Sequence, residues 1–242
     1  MNKVYYVVAK HDKKIFDSYI KPYIRPHNSI VVENSPDLNS MTKKYNEGRR
    51  QLLKRLKPDD IVVFVHEDVK IIDPLFEGKL LMAFQRNKKL GVAGVYGTQA
   101  YVGGGWWSFE RPTFSCGRII QGLPDGRELE MQDNPSAYNP SMVTLDGCIL
   151  SIRGSLLKQQ AFDQTLIGWH QYDNSYCLQT LYETDYTLAV LDTLIVHQSG
   201  GETDEAWLTQ GRILLKKYED MGLEVPITIK SFKDLKNAKL NK

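Results

Sequence analysis

What is scarce in this chain narrows it first. Three cysteines in 242 residues, Cys116, Cys148 and Cys177, lie far apart and form no CxxC pair. That excludes a disulfide framework or a cysteine zinc site and implies reduced thiols. No stretch approaches the roughly 20 apolar residues of a membrane span, and the apolar run in MNKVYYVVAKHDKK is too short for a signal peptide. The net charge is only +2, which gives no nucleic-acid footprint over the domain. Phosphate and nucleophile signatures are missing too. There is no GxxxxGKS or GxxxxGKT, no GxGxxG follows the first strand, and Ser199 in HQSGG is not a GxSxG nucleophile. The expectation is a soluble, cytoplasmic protein that does not bind nucleic acid.

What is present is an ordinary globular composition, 42% hydrophobic and 25% charged, in a chain long enough to bury a sizeable core. The first hundred residues alternate strand-like and helix-like segments. Strands are expected at residues 4–9, 29–33, 61–65 and 91–96. A helical segment is expected at 15–23, and another carries Met41, Tyr45, Leu52 and Leu56 on one face. A further helix follows Pro74 through Leu80, Leu81 and Phe84. This order predicts right-handed crossovers and a mainly parallel sheet. Residues 98–140 are rich in Gly, Pro, Trp and polar side chains. Beyond them an apolar run at 142–152, a helix at 172–182, short strands at 187–191 and 194–197 and an amphipathic helix at 206–221 are expected. No repeat or linker divides the chain, so one α/β domain with an elaborated second half is predicted.

The stretch IVVFVHEDVKI, residues 61–71, sets the functional question. A core strand ends in three polar, metal-capable side chains. In open α/β sheets ligands bind outside the carboxyl ends of the strands, which puts Glu33 and Asn34 on the same rim as His66, Glu67 and Asp68.

The ordered segments VVENS, YNEGRR, VFVHEDV, GVAGVYG with a following WW, TLDGCILSIRGSL and FDQTLIGWHQYDNSYCLQ leading to IVHQSGG resemble a GT-A-fold glycosyltransferase of the family 2 kind, of the streptomycin-biosynthesis StrF type. The likeness spans roughly residues 4–200. It implies a Rossmann-like α/β fold with a mixed, mainly parallel sheet. About residues 1–97 would form the nucleotide-binding half and about 98–200 the acceptor and metal half, with a helix and basic tail at about 203–242. The implied activity is transfer of a sugar, with inversion, from a UDP-, GDP- or dTDP-linked donor to a carbohydrate or lipid-linked acceptor, assisted by Mn2+ or Mg2+.

Residue by residue, the resemblance implies that Asp68 matches a metal-binding carboxylate of a D-x-D element, whose first acid is here His66. By the same resemblance His197 would return as a metal ligand, its other reading being a structural histidine at a strand end, and imidazole suits Mn2+ better than Mg2+. Glu33 and Asn34 would read nucleobase and ribose, with Glu67, Asn46 and Arg49 completing the donor set. Gly48 in that helix suggests a close approach, and Arg49 is either a phosphate or base contact or part of a solvated face. Asp173 matches the general base of an acidic pair whose other member is Tyr172, and it could equally cap the helix that follows. Asp146 either holds donor-sugar hydroxyls or marks a turn. Trp106 and Trp107 beside three glycines suit an aromatic platform on a loop, and Trp169 and His170 an acceptor pocket. The tail at 229–242 carries five lysines and one aspartate around Ile229, Phe232 and Leu235. It is either a solvated terminus or a weak membrane-surface contact. A noncatalytic nucleotide-sugar or carbohydrate-binding protein is the alternative. A nucleotidyltransferase would want a Gly-rich, Arg-containing loop after the first strand, and VVAKHDKK has none.

Overall fold

Residues 2–103, 114–122, 127–134, 138–139, 141–199 and 204–240 are described by the structure, a computed structural model. Its centre is built from β-branched and aromatic runs. Strand β1 (Val4–Ala9) pairs in parallel with β2 (Ser29–Val32) on one side and β3 (Ile61–His66) on the other. Side chains alternate along a strand. Tyr5, Val7 and Ala9 therefore join Val62 and Phe64 in one hydrophobic cluster, while Val4, Tyr6 and Val8 join Ile61, Val63 and Val65 in the other. Burial on both faces explains why these strands read as unbroken apolar runs.

The crossovers carry α1 (Lys13–Ser18), whose N-cap Asp12 accepts from Lys14 and Ile15, and α2 (Met41–Leu52), capped by Ser40. The first helical segment is shorter than expected, because Lys21–Tyr23 and Pro26–Asn28 form separate 3-10 turns around their prolines. Met41, Tyr45 and Leu52 lie buried against the sheet. A Cβ at Gly48 would fall well inside contact with Val7 Cγ1. The close approach anticipated there is thus that of β1 itself.

The chain continues through β4 (Val69–Ile71), α3 (Phe76–Arg86), β5 (Leu90–Gly94), β6 (Tyr96–Thr98) and β7 (Ala100–Tyr101). It then forms β8 (Ser115–Gly122), β9 (Glu128–Asp133), β10 (Tyr138–Asn139), β11 (Thr144–Leu145), β12 (Ile149–Arg153) and α4 (Gly154–Gln159). Next come α5 (Tyr172–Glu183), β13 (Thr187–Leu191), β14 (Ile195–His197), α6 (Glu205–Glu219), β15 (Ile227–Thr228) and α7 (Ile229–Leu240). The large sheet has the order β10-β13-β5-β12-β3-β1-β2. Parallel pairing links β1 to β2 and β3, and β13 to β5, but β12 runs antiparallel between β3 and β5, so the sheet is mixed. The expected strand at 91–96 divides: β5 stays in the large sheet, whereas β6 enters a second sheet ordered β11-β6-β8-β14-β4. No helix among the described residues is long and apolar enough to cross a membrane.

The basic tail packs on the domain through its apolar residues while Lys230 stays exposed. It forms α7, whose Phe232 is 3% exposed and whose Ile229 and Leu235 pack against the main core. The Phe232 ring meets Tyr218 at 6.2 Å between centroids, and β15 just before it pairs with β7. The apolar stripe that could have met a membrane is turned into the protein.

Candidate functional site

The second sheet begins where β3 ends, and this brings distant residues together. After His66 the chain turns through Glu67 and Asp68 into β4, which pairs antiparallel with β14 so that His197 lies opposite Val69. Two backbone bonds lock the corner: His66 N–H donates to Cys148 O at 3.1 Å and Gln198 N–H to Asp68 O at 3.1 Å. Three donor atoms converge there. His66 Nδ1 lies 3.4 Å from His197 Nε2 and 3.9 Å from Asp68 Oδ1, and His197 Nε2 lies 3.6 Å from Asp68 Oδ1. Asp68 Oδ1 is buried without a hydrogen-bond donor, a costly state for a carboxylate oxygen unless something else faces it. Burial holds the His66 imidazole below its usual range, partly offset by Asp68, which favours the neutral, ligating form. Two imidazoles and one carboxylate within 4.8 Å of one another form a donor set that could hold a metal ion.

The start of α5 borders this corner. Its N-cap Gln171 has φ 59, a left-handed conformation, held by buried bonds from Asn174 Nδ2 (2.9 Å) and Tyr101 OH (3.3 Å) to its side-chain oxygen. Tyr172 and Asp173 follow. The Tyr172 hydroxyl reaches His66 Nε2 at 2.5 Å, so the two positions at which the chain departs from the acidic pattern touch each other. Asp173 lies in the first turn and is not the N-cap. Its carboxylate accepts from Gly147 N–H at 3.0 Å and Asn174 N–H at 2.8 Å. Burial, then the neighbouring Asp146 carboxylate, pushes Asp173 up to about 7. Asp146 is itself buried and accepts from Cys148 N–H at 2.8 Å, so it both shapes the turn and supplies negative charge.

Along the rim at the ends of β1 and β2, the other expected residues divide. Glu33 pairs with Lys10 at 2.7 Å, and Asn34 Nδ2 bonds His11 Nδ1. The His11 ring meets the exposed Trp169 edge-on at 6.4 Å, so Trp169 joins the Glu33–Asn34 rim. His170 instead lies 3.3 Å from Asp204, the N-cap of α6. Glu67 is a brace: its carboxylate accepts from His11 N–H at 2.7 Å and Asp12 N–H at 2.9 Å. Asn46 and Arg49 are committed to the backbone near α4. Asn46 exchanges bonds with Phe162 O and N–H at 2.8 and 3.0 Å. Arg49 donates to Leu157 O at 2.7 Å and Lys158 O at 3.0 Å. Both side chains are thereby tied to the 157–162 backbone, a structural use of the polar groups expected at the donor. Trp106 and Trp107 lie outside the described residues.

One rim residue escaped sequence reasoning. Lys44 is fully buried, donates to Lys10 O at 2.7 Å and sits 5.2 Å from the Trp169 ring centre. Burial lowers its pKa, while Glu67 and Glu33 oppose that fall. The signal was available: Lys44 is three residues after Met41, on the buried face of α2, where a lysine needs a reason.

Residues 11–220 match the family described as "Glycosyltransferase like family". No curated protein matches the chain. Among solved structures it is similar to GalNAc-T7 with UDP, GalNAc and Mn2+, with a TM-score of 0.58 and 8% identity over 91% of this chain and 49% of that one. The chain thus spans about half the length of that protein, and the likeness is one of fold. A197 from STIV aligns with a TM-score of 0.44 and 12% identity over 79% of this chain and 82% of that one. With its GT-A-like mixed α/β domain and a family match over most of its length, the chain belongs to the glycosyltransferase-like family.

Proposed function

We propose that the protein is an inverting, metal-dependent glycosyltransferase that moves a sugar from a nucleotide-sugar donor to an acceptor hydroxyl. The observation that carries this reading is the juxtaposition, across the His66–Tyr172 contact, of the His66–Asp68–His197 donor set with the partly buried Asp173 carboxylate. The residues fit a divalent cation, since Asp68 Oδ1 is buried and unpaired and His66 is kept neutral. Two nitrogens among three ligands suit Mn2+ better than Mg2+. A cation held by His66, Asp68 and His197 would supply positive charge against the departing nucleoside diphosphate.

The chain's own residues do the rest. His11, Glu33, Asn34 and Trp169 border the rim for nucleobase and ribose, with Lys44 a buried cation beneath it. Asp173, ionised over the upper part of the neutral range, accepts the acceptor hydroxyl's proton. The acceptor oxygen then bonds to the anomeric carbon as the bond from that carbon to the diphosphate oxygen breaks. Asp146 raises the basicity of Asp173 through its like charge. Carbohydrate and lipid-linked hydroxyls are the acceptor classes, and the StrF-type likeness of the motifs is part of the same proposal.

The test is a panel of UDP-, GDP- and dTDP-sugars, including UDP-GalNAc, assayed for binding and for donor hydrolysis or transfer with and without Mn2+. Metal-dependent turnover of one donor, lost in Asp173→Asn, supports the reading. Binding without turnover moves the protein to the noncatalytic alternative, and no binding to any donor refutes the donor site.

A further inference from the structure

The metal reading leaves one contact unexplained. His66 uses one ring nitrogen toward Asp68 and His197; the other, Nε2, is 2.5 Å from the Tyr172 hydroxyl. Tyr172 is 4% exposed, and its ring packs edge-on against Tyr45 at 5.5 Å. A Cβ at residue 147 would collide with its hydroxyl, so Gly147 leaves the space that the phenol fills. The phenol is therefore fixed on two sides and meets the largely buried imidazole as a rigid partner. A ligating imidazole almost always donates its far N–H to a partner that sets its tautomer and ring orientation. His197 has none among the described residues, because its Nδ1 is buried and unpaired.

Resting on the metal-dependent reading above, we infer that Tyr172 is a positioning residue that holds His66 as an Nδ1 ligand. With Nδ1 turned toward Asp68 and His197, the ring proton resides on Nε2 and is donated to the Tyr172 oxygen. The metal corner is then oriented from α5, the helix that also carries Asp173. The histidine at the end of β3 and the tyrosine at the start of α5 form one device: the phenol orients the imidazole at that position, whereas a carboxylate ligand there would not use it.

The experiment is a double-mutant cycle read by Mn2+ binding, using calorimetry and Mn2+ electron paramagnetic resonance on the full chain without donor. Tyr172→Phe is expected to weaken Mn2+ by about 10- to 100-fold in the His66 background and to change little in the His66→Asp background. Equal weakening in both backgrounds would show that Tyr172 acts by general packing, and unchanged affinity in Tyr172→Phe alone would show that it does not act at all; either overturns the inference. If wild type fails to bind Mn2+, the metal reading itself is overturned. A second readout needs no variant. In the Zn2+-loaded wild type, imidazole 15N shifts are expected to show His66 protonated at Nε2, and an Nδ1-protonated ring there would overturn the assignment.

Discussion

Asp173 carries the sharpest prediction, because one shift acts on catalysis and stability in opposite directions. Its carboxyl is raised from the ordinary 3.8 to about 7, by burial first and by Asp146 second. Only the ionised form can accept a proton. At pH 6 about one carboxyl in ten is therefore competent, and at pH 8 about nine in ten. The profile of kcat/KM, which reports the free enzyme, should climb close to tenfold between these values with a midpoint near 7. Burial shifts the His66 titration downward, away from this midpoint. Asp146→Asn keeps an oxygen to accept from Cys148 N–H but removes the like charge, so the midpoint should move to lower pH. Any loss of donor contact would lower the plateau and leave the midpoint alone. Stability follows the opposite sign. A carboxyl whose folded pKa exceeds its unfolded one stabilises the fold below the unfolded value, and that contribution is lost as pH rises through about 7. Urea unfolding at pH 5 and pH 8 should show a smaller loss in Asp173→Asn than in wild type. A flat rate profile between pH 6 and 8, or a midpoint indifferent to Asp146→Asn, would refute Asp173 as the base.

Three further outcomes test the packing that holds the site. Gly48→Ala gains about 1 kcal/mol of helix propensity but drives a methyl into Val7, and overpacking of that kind costs about 1–3 kcal/mol; a net loss is expected in urea melts, smaller than additive when combined with Val7→Ala. Arg49→Ala should cost about 1 kcal/mol, chiefly through the part-buried Leu157 carbonyl since water can replace the donor at Lys158, while nucleotide affinity by calorimetry stays unchanged; lost affinity would support its donor role. Phe232→Ala should destabilise by about 3–5 kcal/mol and leave sedimentation with anionic vesicles unaltered, because the ring faces Tyr218.

The parts legible in the sequence were those set by local pattern. The doubly buried β1 and β3 announced themselves as apolar runs, and the rule that ligands gather at the carboxyl ends of strands drew attention to Glu33, Asn34 and His66. What was not legible depends on direction or register. That His197 meets Asp68 was implied by the family resemblance but not by local pattern, since it follows from the β4–β14 pairing between segments more than a hundred residues apart. Asn46 and Arg49 sit on a helix at the rim, but helix phase turns their polar ends toward the 157–162 backbone. In the tail, Ile229, Phe232 and Leu235 form the same stripe whether the partner is a membrane or the protein's own core, so pattern alone could not choose. The antiparallel β12 was hidden for a similar reason, since a buried strand reads alike in either direction.

The loop before α5 ties these pieces together and can be tested at Gly168. Met41 N–H donates to Gly168 O at 3.0 Å and Thr42 Oγ1 to Leu166 O at 3.3 Å, which fastens the loop to the start of α2. Trp169 then reaches the His11 ring, Tyr172 reaches His66 and Asp173 reaches the Asp146–Gly147 turn. Gly168 has φ +90, and the nearest atom to a Cβ there, Gln210 Nε2, is 3.7 Å away. Room for a methyl exists, so Gly168→Ala acts through backbone strain of about 1–2 kcal/mol, which the loop relieves by shifting. Because Trp169, Tyr172 and Asp173 ride on that segment, donor affinity, Mn2+ affinity and kcat should fall together. A variant in which one falls while the other two keep their wild-type values would show that the three contacts are set independently, and that the loop is a connection only.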